Sequence, residues 1–203
     1  MSDLGDDIKD TLQDIGTVVS VIGGSGSEYL DFEPNAQVTK PFIQEFFLDA
    51  MVSYDTAMVT GDVIKFDVTG DRFIVMNKTP MLMENERIYH DTVLYKCNVS
   101  GEILRPSGET RDSQTMLKSA VFVSIKSDAY SLLTEPLFSG YLDTESELAN
   151  IGIDRQELYI PSSFGIQVLD RFEPSSGEYY LVESIRTRRF PGVDVVVLGE
   201  DTR

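Results

Sequence analysis

Short runs of β-branched and aromatic residues recur along the whole chain, separated by clusters of glycine, serine, aspartate and proline, and this pattern is the strongest constraint on the fold. Such runs are typical of strands because their side chains pack well on a pleated surface, whereas the intervening residues supply the backbone conformations of tight turns. Many short strands at close spacing favour small barrels or sandwiches. The sequence therefore predicts a mainly β protein, built from two small β-barrel or sandwich modules with short helices.

The prediction of two modules depends on an internal repeat. Lys65-Phe66 and Arg171-Phe172 each precede a turn that contains a glycine, and similar strands, Phe73-Ile74-Val75 and Tyr180-Leu181-Val182, follow those turns. The other matched pairs are Ile15–Ile22 with Ala120–Ile125, Glu28–Phe32 with Ala129–Leu133, and Thr92–Cys97 with Val193–Leu198. Identity between the two stretches is low, so a chance similarity of two hairpins is the alternative to a duplication.

The repeat divides the chain of 203 residues into four segments. The predicted segments are an N-terminal helical arm over 1–16, a first β module over 17–100, a linker or projecting arm over 101–117, and a second β module over 118–203. The third segment is polar and punctuated by proline and glycine, which favours a connection over a buried strand.

Helical patterns are scarce. Leu4, Ile8, Leu12 and Ile15 share one face of a helix, and Gly16 is a natural stop after it. A second short helix is predicted over Glu145–Ile151, whose flanking residues have the spacing of a helix cap. The apolar segment Pro41–Leu48 fits a helix or a strand, and its phenylalanines are expected in the core rather than in an exposed docking patch.

The net charge of −17 limits the partners of the chain. Phosphate backbones attract basic proteins, so tight binding of nucleic acid is disfavoured. The charge serves solubility, or it forms a surface that lets DNA pass without adhering; composition alone does not choose between the two. No apolar run approaches the ~18 residues that a membrane-spanning helix needs, and no membrane partner is expected.

Residues that carry chemistry are few. One cysteine, Cys97, and one histidine, His90, leave no cluster for a zinc site, and no loop has the spacing of a calcium site. A thiol activated by His90 is the single nucleophilic pair that the sequence offers, and Cys97 fits better as a small residue on one face of a strand. No enzymatic activity, metal or cofactor is predicted.

The C-terminal module carries a resemblance to a known class of protein. Gly165–Phe172, then Ser176–Ile185, then Pro191–Glu200 resemble the small β-barrel neck proteins of tailed phages, which are the head-closure (stopper) and head–tail joining proteins. Gly61–Phe66 followed by Phe73–Met76 resembles the same pattern. The resemblance implies a homo-oligomeric ring, commonly of six subunits, around a DNA channel in the virion, with portal or adaptor and tail proteins as partners. Such a protein would assemble in the host cytoplasm.

Two alternatives stay open. A tail tube, hub or baseplate protein also builds β rings, and the length of this chain exceeds that of a stopper with a single barrel. From another class, an OB-like module that binds nucleic acid or a small ligand would need a basic groove lined with aromatic residues on a monomer.

Charged residues at the segment ends are the predicted interaction sites. Exposed arms and hairpins invite contacts between subunits, and a basic cluster on an acidic chain fits an acidic neighbour. The residues are Asp3, Asp6, Asp7, Asp10, Arg105, Arg111, Arg186, Arg188 and Arg189.

Overall fold

The computed structural model describes residues 3–24, 26–34, 46–111, 118–134, 156–175 and 177–201. The helix predicted over Glu145–Ile151 and the segment 41–45 lie outside these ranges. The described elements are α1 (Asp3–Ile15), β1 (Thr17–Val21), β2 (Ser27–Pro34), β3 (Phe47–Ser53), β4 (Val63–Phe66), β5 (Arg72–Met83), β6 (Glu86–Lys96), β7 (Val99–Arg111), β8 (Lys118–Thr134), β9 (Gln156–Pro161), β10 (Arg171–Ser175), β11 (Glu178–Phe190) and β12 (Val193–Glu200).

The strands form two closed barrels of six strands each, with the neighbour orders β1-β2-β3-β6-β5-β4 and β7-β8-β9-β12-β11-β10. Adding six to each strand number in the first barrel gives the order in the second. The mainly β fold with two modules and an N-terminal helix is therefore confirmed, and both modules have one topology.

The chain divides into two compact units, one around each barrel. The first comprises Met1–Cys97 together with Phe190–Val193, and the second comprises Asn98–Arg189 together with Asp194–Arg203. Each unit has its own apolar core. The first is built mainly from Val19, Leu30, Val52, Met58, Ile64, Phe66, Phe73, Val75 and Leu94. The second is built from Ile103, Ala129, Leu158, Ile160, Ile166, Phe172, Val182, Val196 and Leu198.

Strand β7 corrects one prediction. The sequence predicts a linker or projecting arm over residues 101–117, but Val99–Arg111 is a strand of the second barrel. Ile103 is fully buried in the barrel core and pairs with Phe172 of β10. The polar, glycine-rich composition is misleading because only the first part of this strand faces the core.

Helix α1 packs on the first barrel, against β2, β3 and β6, so it is not a free arm over its described residues. Leu12 is buried, whereas Ile15, expected on the same apolar face, is 79% exposed. Two polar contacts also hold the helix: Lys9 binds Asp55, and the Tyr54 hydroxyl donates to Asp6 at 2.7 Å. The helix ends as predicted, with Gly16 donating its backbone N–H to the carbonyl of Leu12.

A turn before β4 carries a distinctive set of hydrogen bonds. Gly61 donates its N–H to the Val75 carbonyl at 2.8 Å, and Val75 donates to the Asp62 carbonyl at 2.9 Å. Asp62 donates to the Val59 carbonyl at 3.1 Å, and its carboxylate accepts from the Val59 N–H at 2.8 Å. The backbone of Gly61 has a positive φ of 90°.

The turn before β10 repeats this set atom for atom. Leu169 donates to the Val182 carbonyl at 2.9 Å, and Val182 donates to the Asp170 carbonyl at 2.9 Å. Asp170 donates to the Gln167 carbonyl at 3.1 Å, and its carboxylate accepts from the Gln167 N–H at 2.8 Å. The φ of Leu169 is 75°, which is unusual for leucine. Leu169 is therefore the structural counterpart of Gly61, and Asp170 is that of Asp62.

These hydrogen bonds fix how the repeat aligns. Phe73-Ile74-Val75 does match Tyr180-Leu181-Val182, as the sequence predicts. The match of Lys65-Phe66 with Arg171-Phe172 is wrong by two residues, because Val63 and Ile64 follow Asp62 as Arg171 and Phe172 follow Asp170.

The alignment predicted for the first strand of each unit is also wrong. The sequence pattern matches Ile15–Ile22 with Ala120–Ile125, but the counterpart of β1 is β7, within the segment predicted as a linker. The next match is correct: Tyr29 of β2 pairs with β1 as Tyr130 of β8 pairs with β7. Identical strand order and matching turns support a duplication over a chance similarity.

The positive φ of Leu169 leads to a stability prediction. A left-handed backbone costs a residue with a side chain about 1 kcal/mol, and glycine avoids this cost. Because Leu169 is 57% exposed, Leu169→Gly removes little packing and is expected to raise the free energy of unfolding by about 0.5–1 kcal/mol, measured by chemical denaturation. Val168→Gly, in the same turn without a positive φ, is the control and should lower stability.

Candidate interaction surfaces

Hairpins in both units extend beyond the strands that close their barrels. In the second unit, β7 pairs with β10 only over Glu102–Leu104, while its pairing with β8 continues to Arg111. All side chains of Pro106–Arg111 and Lys118–Ala120 are exposed. Since neighbouring residues of a strand point to opposite faces, both faces of this ribbon are open to solvent. The distal part of β7 is thus a projecting ribbon, whereas its first part is barrel wall.

A second extended hairpin lies in the first unit. Strand β5 pairs with β4 only over Arg72–Ile74 and continues with β6 to a tight turn at Glu84 and Asn85. Both turn residues have positive φ, of 51° and 70°. Next to the turn, Met81, Leu82 and Met83 are exposed by 36%, 61% and 55%. We refer to these three residues as the apolar tip.

The acidic residues predicted as interaction sites lie on α1. Asp6 accepts the hydrogen bond from Tyr54 that holds the helix to the barrel. Asp7 and Asp10 are exposed on the same helix. The side chain of Asp3 lies outside the described part. Among the described acidic side chains of this set, Asp7 and Asp10 are therefore exposed and outside the contact with Tyr54.

Arg105, predicted as an interaction site, instead makes contacts within the second unit. Its Nε and one Nη donate to the two carboxylate oxygens of Asp170 at 2.9 and 2.8 Å, and the same Nη donates to the Gly165 carbonyl at 2.8 Å. The Asp170 side chain is 2% exposed. The hydrogen bond to Asp170 raises the pKa of Arg105. This two-pronged pair stabilises the turn before β10.

Arg171 is a contact residue that the sequence analysis missed. Its Nε donates to Asp201 at 2.7 Å, and its guanidinium carbon lies 3.9 Å from the centre of the Phe122 ring and 4.5 Å from that of Tyr179. A guanidinium stacked on aromatic faces gains from the negative charge of the ring faces. The alternation of Arg171 with buried Phe172 hides this contact, because sequence spacing does not show which strand lies opposite.

The remaining predicted arginines lie at exposed positions. Arg111 ends β7, opposite Lys118 in register. Arg186, Arg188 and Arg189 lie on the exposed half of β11. Arg186 binds the nearly buried Glu157 at 3.3 Å, so part of this cluster is satisfied within the second unit. Whether these arginines contact another subunit stays a prediction.

The pair His90 and Cys97 does not form a reactive centre. His90 lies within β6 and Cys97 directly follows its last residue, so the two lie more than ~20 Å apart along an extended strand. His90 is buried, its Nδ1 lies 3.3 Å from the Ser53 carbonyl, and burial lowers its pKa. Burial raises the pKa of the Cys97 thiol to about 12, although Arg72 opposes the shift. Neither group has the titration behaviour of a thiol activated by histidine.

Cys97 provides a test of this environment. With a native pKa of about 12, the thiol keeps its proton where an unfolded cysteine loses it, so its contribution to stability is present below pH ~8.5 and is lost as the pH rises toward 12. Native protein at pH 8 should react with a disulfide reagent at least about 100-fold more slowly than unfolded protein. Reaction at the unfolded rate would contradict the raised pKa of the Cys97 thiol. Cys97→Ala should flatten the stability loss between pH 9 and 12, measured by denaturation at each pH.

Within the described ranges there is no group of three or more histidine, cysteine, aspartate or glutamate residues placed to hold a metal ion. In the same residues no helix is both long and apolar enough to cross a bilayer. Comparisons with protein-family models, with curated proteins and with solved structures found no match.

Proposed function

We propose that the chain is a structural subunit of a tailed-phage virion, a head–tail connector of the neck that forms a homo-oligomeric ring around the DNA channel. It acts through its shape and surface charge, not through catalysis. Its partners are further copies of itself, the portal or adaptor, and tail proteins. A tail tube, hub or baseplate ring is the variant of this proposal within the same structural class.

The observation that carries the proposal is a pair of duplicated closed barrels whose hairpins extend beyond the barrel wall. Closed barrels leave no free edges, so each unit can meet neighbours without uncontrolled strand addition. The ribbon formed by β7 and β8 has two exposed faces, and a two-stranded ribbon gains little stability unless something packs on it. Such ribbons suit contacts with adjacent subunits.

The net charge of −17 supports the channel role. A ring multiplies this charge by its copy number and repels the phosphate backbone, so DNA slides past instead of adhering. The cluster of Arg186, Arg188 and Arg189 is basic on an acidic chain. Arg186 binds Glu157, and we assign Arg188 and Arg189 to a contact with an acidic neighbouring ring.

The test is the mass and shape of the purified chain, alone and mixed with its portal, measured by native mass spectrometry and negative-stain imaging. A closed ring, alone or on the portal, is the expected result. A chain that stays monomeric and does not bind the portal would contradict the proposal. A monomer that binds DNA tightly at physiological salt would replace it with the OB-like alternative.

A further inference from the structure

The duplication permits a comparison between the two hairpins that occupy equivalent positions. Strand β5 ends eight residues after Val75, at Met83, and β11 ends eight residues after Val182, at Phe190. A turn of two residues follows both strands. The turn residues Asn85 and Gly192 have nearly equal φ values, of 70° and 73°.

One of these two turns is already in contact with a barrel turn. The first compact unit includes Phe190–Val193, and there Gly192 lies directly against Thr60 and Gly61. A methyl group built on either glycine would overlap the backbone of the other segment, so the two backbones touch. The hairpin turn thus has a defined receptor, the turn that precedes β4.

Exposed apolar side chains lie in or beside the equivalent pair of turns. The counterparts of Thr60 and Gly61 are Val168 and Leu169, and both are more than half exposed. The counterpart of the turn at Gly192 is the turn at Glu84 and Asn85, which lies beside the apolar tip. Leu82, the central residue of the apolar tip, is also more than half exposed. The hairpin turn itself, Glu84-Asn85, is polar, so its apolar surface is the apolar tip beside it. On the other side of the second contact the apolar surface is Val168 and Leu169, and both surfaces are exposed.

We propose that the apolar tip of one copy docks on Val168 and Leu169 of a second copy. This contact reproduces between chains the contact that Gly192 makes with Gly61 inside the first unit. Leu169 replaces Gly61 and Asn85 replaces Gly192, so packing of the apolar tip beside Asn85 against Val168 and Leu169 takes the place of close backbone approach. We assign the partner as a second copy because the equivalent turns of this same chain, at Gly192 and Gly61, already make such a contact.

The contact is head to tail, since the tip and its receptor are different surfaces. Contacts of this kind generate closed rings when the rotation between subunits closes. The inference rests on the ring function proposed above and specifies the joint between its subunits.

Two variants separate the two sides of the joint. Leu82→Asp disables the tip and Val168→Asp disables the receptor, and both side chains are more than half exposed, so neither change disturbs a core. Each variant alone is expected to self-associate more than about 100-fold more weakly than the wild type, measured by sedimentation velocity, because a carboxylate would be buried among apolar groups. The matched control is Val68→Asp, at an apolar residue 84% exposed in the turn between β4 and β5, and it should associate as the wild type does.

Mixing the two disabled variants gives the decisive result. The intact tip of Val168→Asp fits the intact receptor of Leu82→Asp, so the mixture is expected to form a one-to-one dimer that neither variant forms alone. Oligomers that survive Leu82→Asp, a mixture that stays monomeric, or equal disruption by Val68→Asp would overturn the inference while the ring function stands. A wild-type chain that is monomeric both alone and with its portal would overturn both.

Discussion

Replacing Arg105 by alanine is expected to lower the free energy of unfolding of the second unit by about 2–3 kcal/mol. The reason is the partner that remains: the Asp170 carboxylate is 2% exposed, and without Arg105 it is a buried charge with no cation. The cost of leaving a buried charge unpaired exceeds the net gain from forming the pair. Hydrogen exchange of backbone amides, unit by unit, measures this loss.

Two comparisons isolate the charge effect. Asp170→Asn in the Arg105→Ala background removes the orphaned charge and should restore part of the loss. Arg188→Ala, at an exposed arginine of β11, should change stability by no more than about 0.5 kcal/mol. An Arg105→Ala protein as stable as Arg188→Ala would show that solvent screens Asp170 and that the pair does not hold the turn.

Gly101→Ala is expected to cost about 3 kcal/mol, at the upper end for an added methyl group in a packed core. A Cβ on Gly101 would lie 2.5 Å from Cζ of Phe172 and 2.8 Å from the Glu173 carbonyl oxygen. Phe172 is fully buried in the second core, so its ring must shift against packed neighbours to admit the methyl group. Thermal and chemical denaturation of the purified variant measure the loss.

The same strand offers the control. Gly108 lies on the exposed ribbon of β7, and a Cβ built there meets nothing within 4 Å. Gly108→Ala should therefore leave stability within about 0.5 kcal/mol of the wild type. Gly101→Ala combined with Phe172→Leu should recover some of the loss, since the shorter side chain makes room. If Gly101→Ala and Gly108→Ala behave alike, the ring of Phe172 does not lie against Gly101.

The two units have different residues at the turn position that requires a positive φ. Gly61 adopts its positive φ without strain, whereas Leu169 adopts a similar φ with a side chain exposed. A duplication that kept a strained leucine at this turn is consistent with a use for its side chain outside the chain. The strained backbone of Leu169 thus adds to its equivalence with Gly61 as a reason for placing it in the proposed joint.

The local pattern of residues determined much of this protein. Alternation of β-branched and aromatic residues predicted the strands, because a strand buries every second side chain. The resemblance of Phe73-Ile74-Val75 to Tyr180-Leu181-Val182 predicted the two modules, and Gly16 predicted the end of α1. These features are set within a few residues along the chain, where sequence spacing and physical distance agree.

Only the tertiary structure decided what depends on distant partners. The sequence of β7 is typical of a polar connection, and only its pairing with β10 shows that it is a barrel strand. The sequence likewise predicts Arg105 as a surface charge, because its partner Asp170 is 65 residues away along the chain. The correct alignment of the repeat depended on hydrogen bonds that join each turn to a later strand, in which Asp62 and Asp170 take the same place. Long-range pairing brings together residues whose separation along the chain does not reveal their contact. For that reason the sequence predicted the two modules but not the residue pairs that stabilise each module.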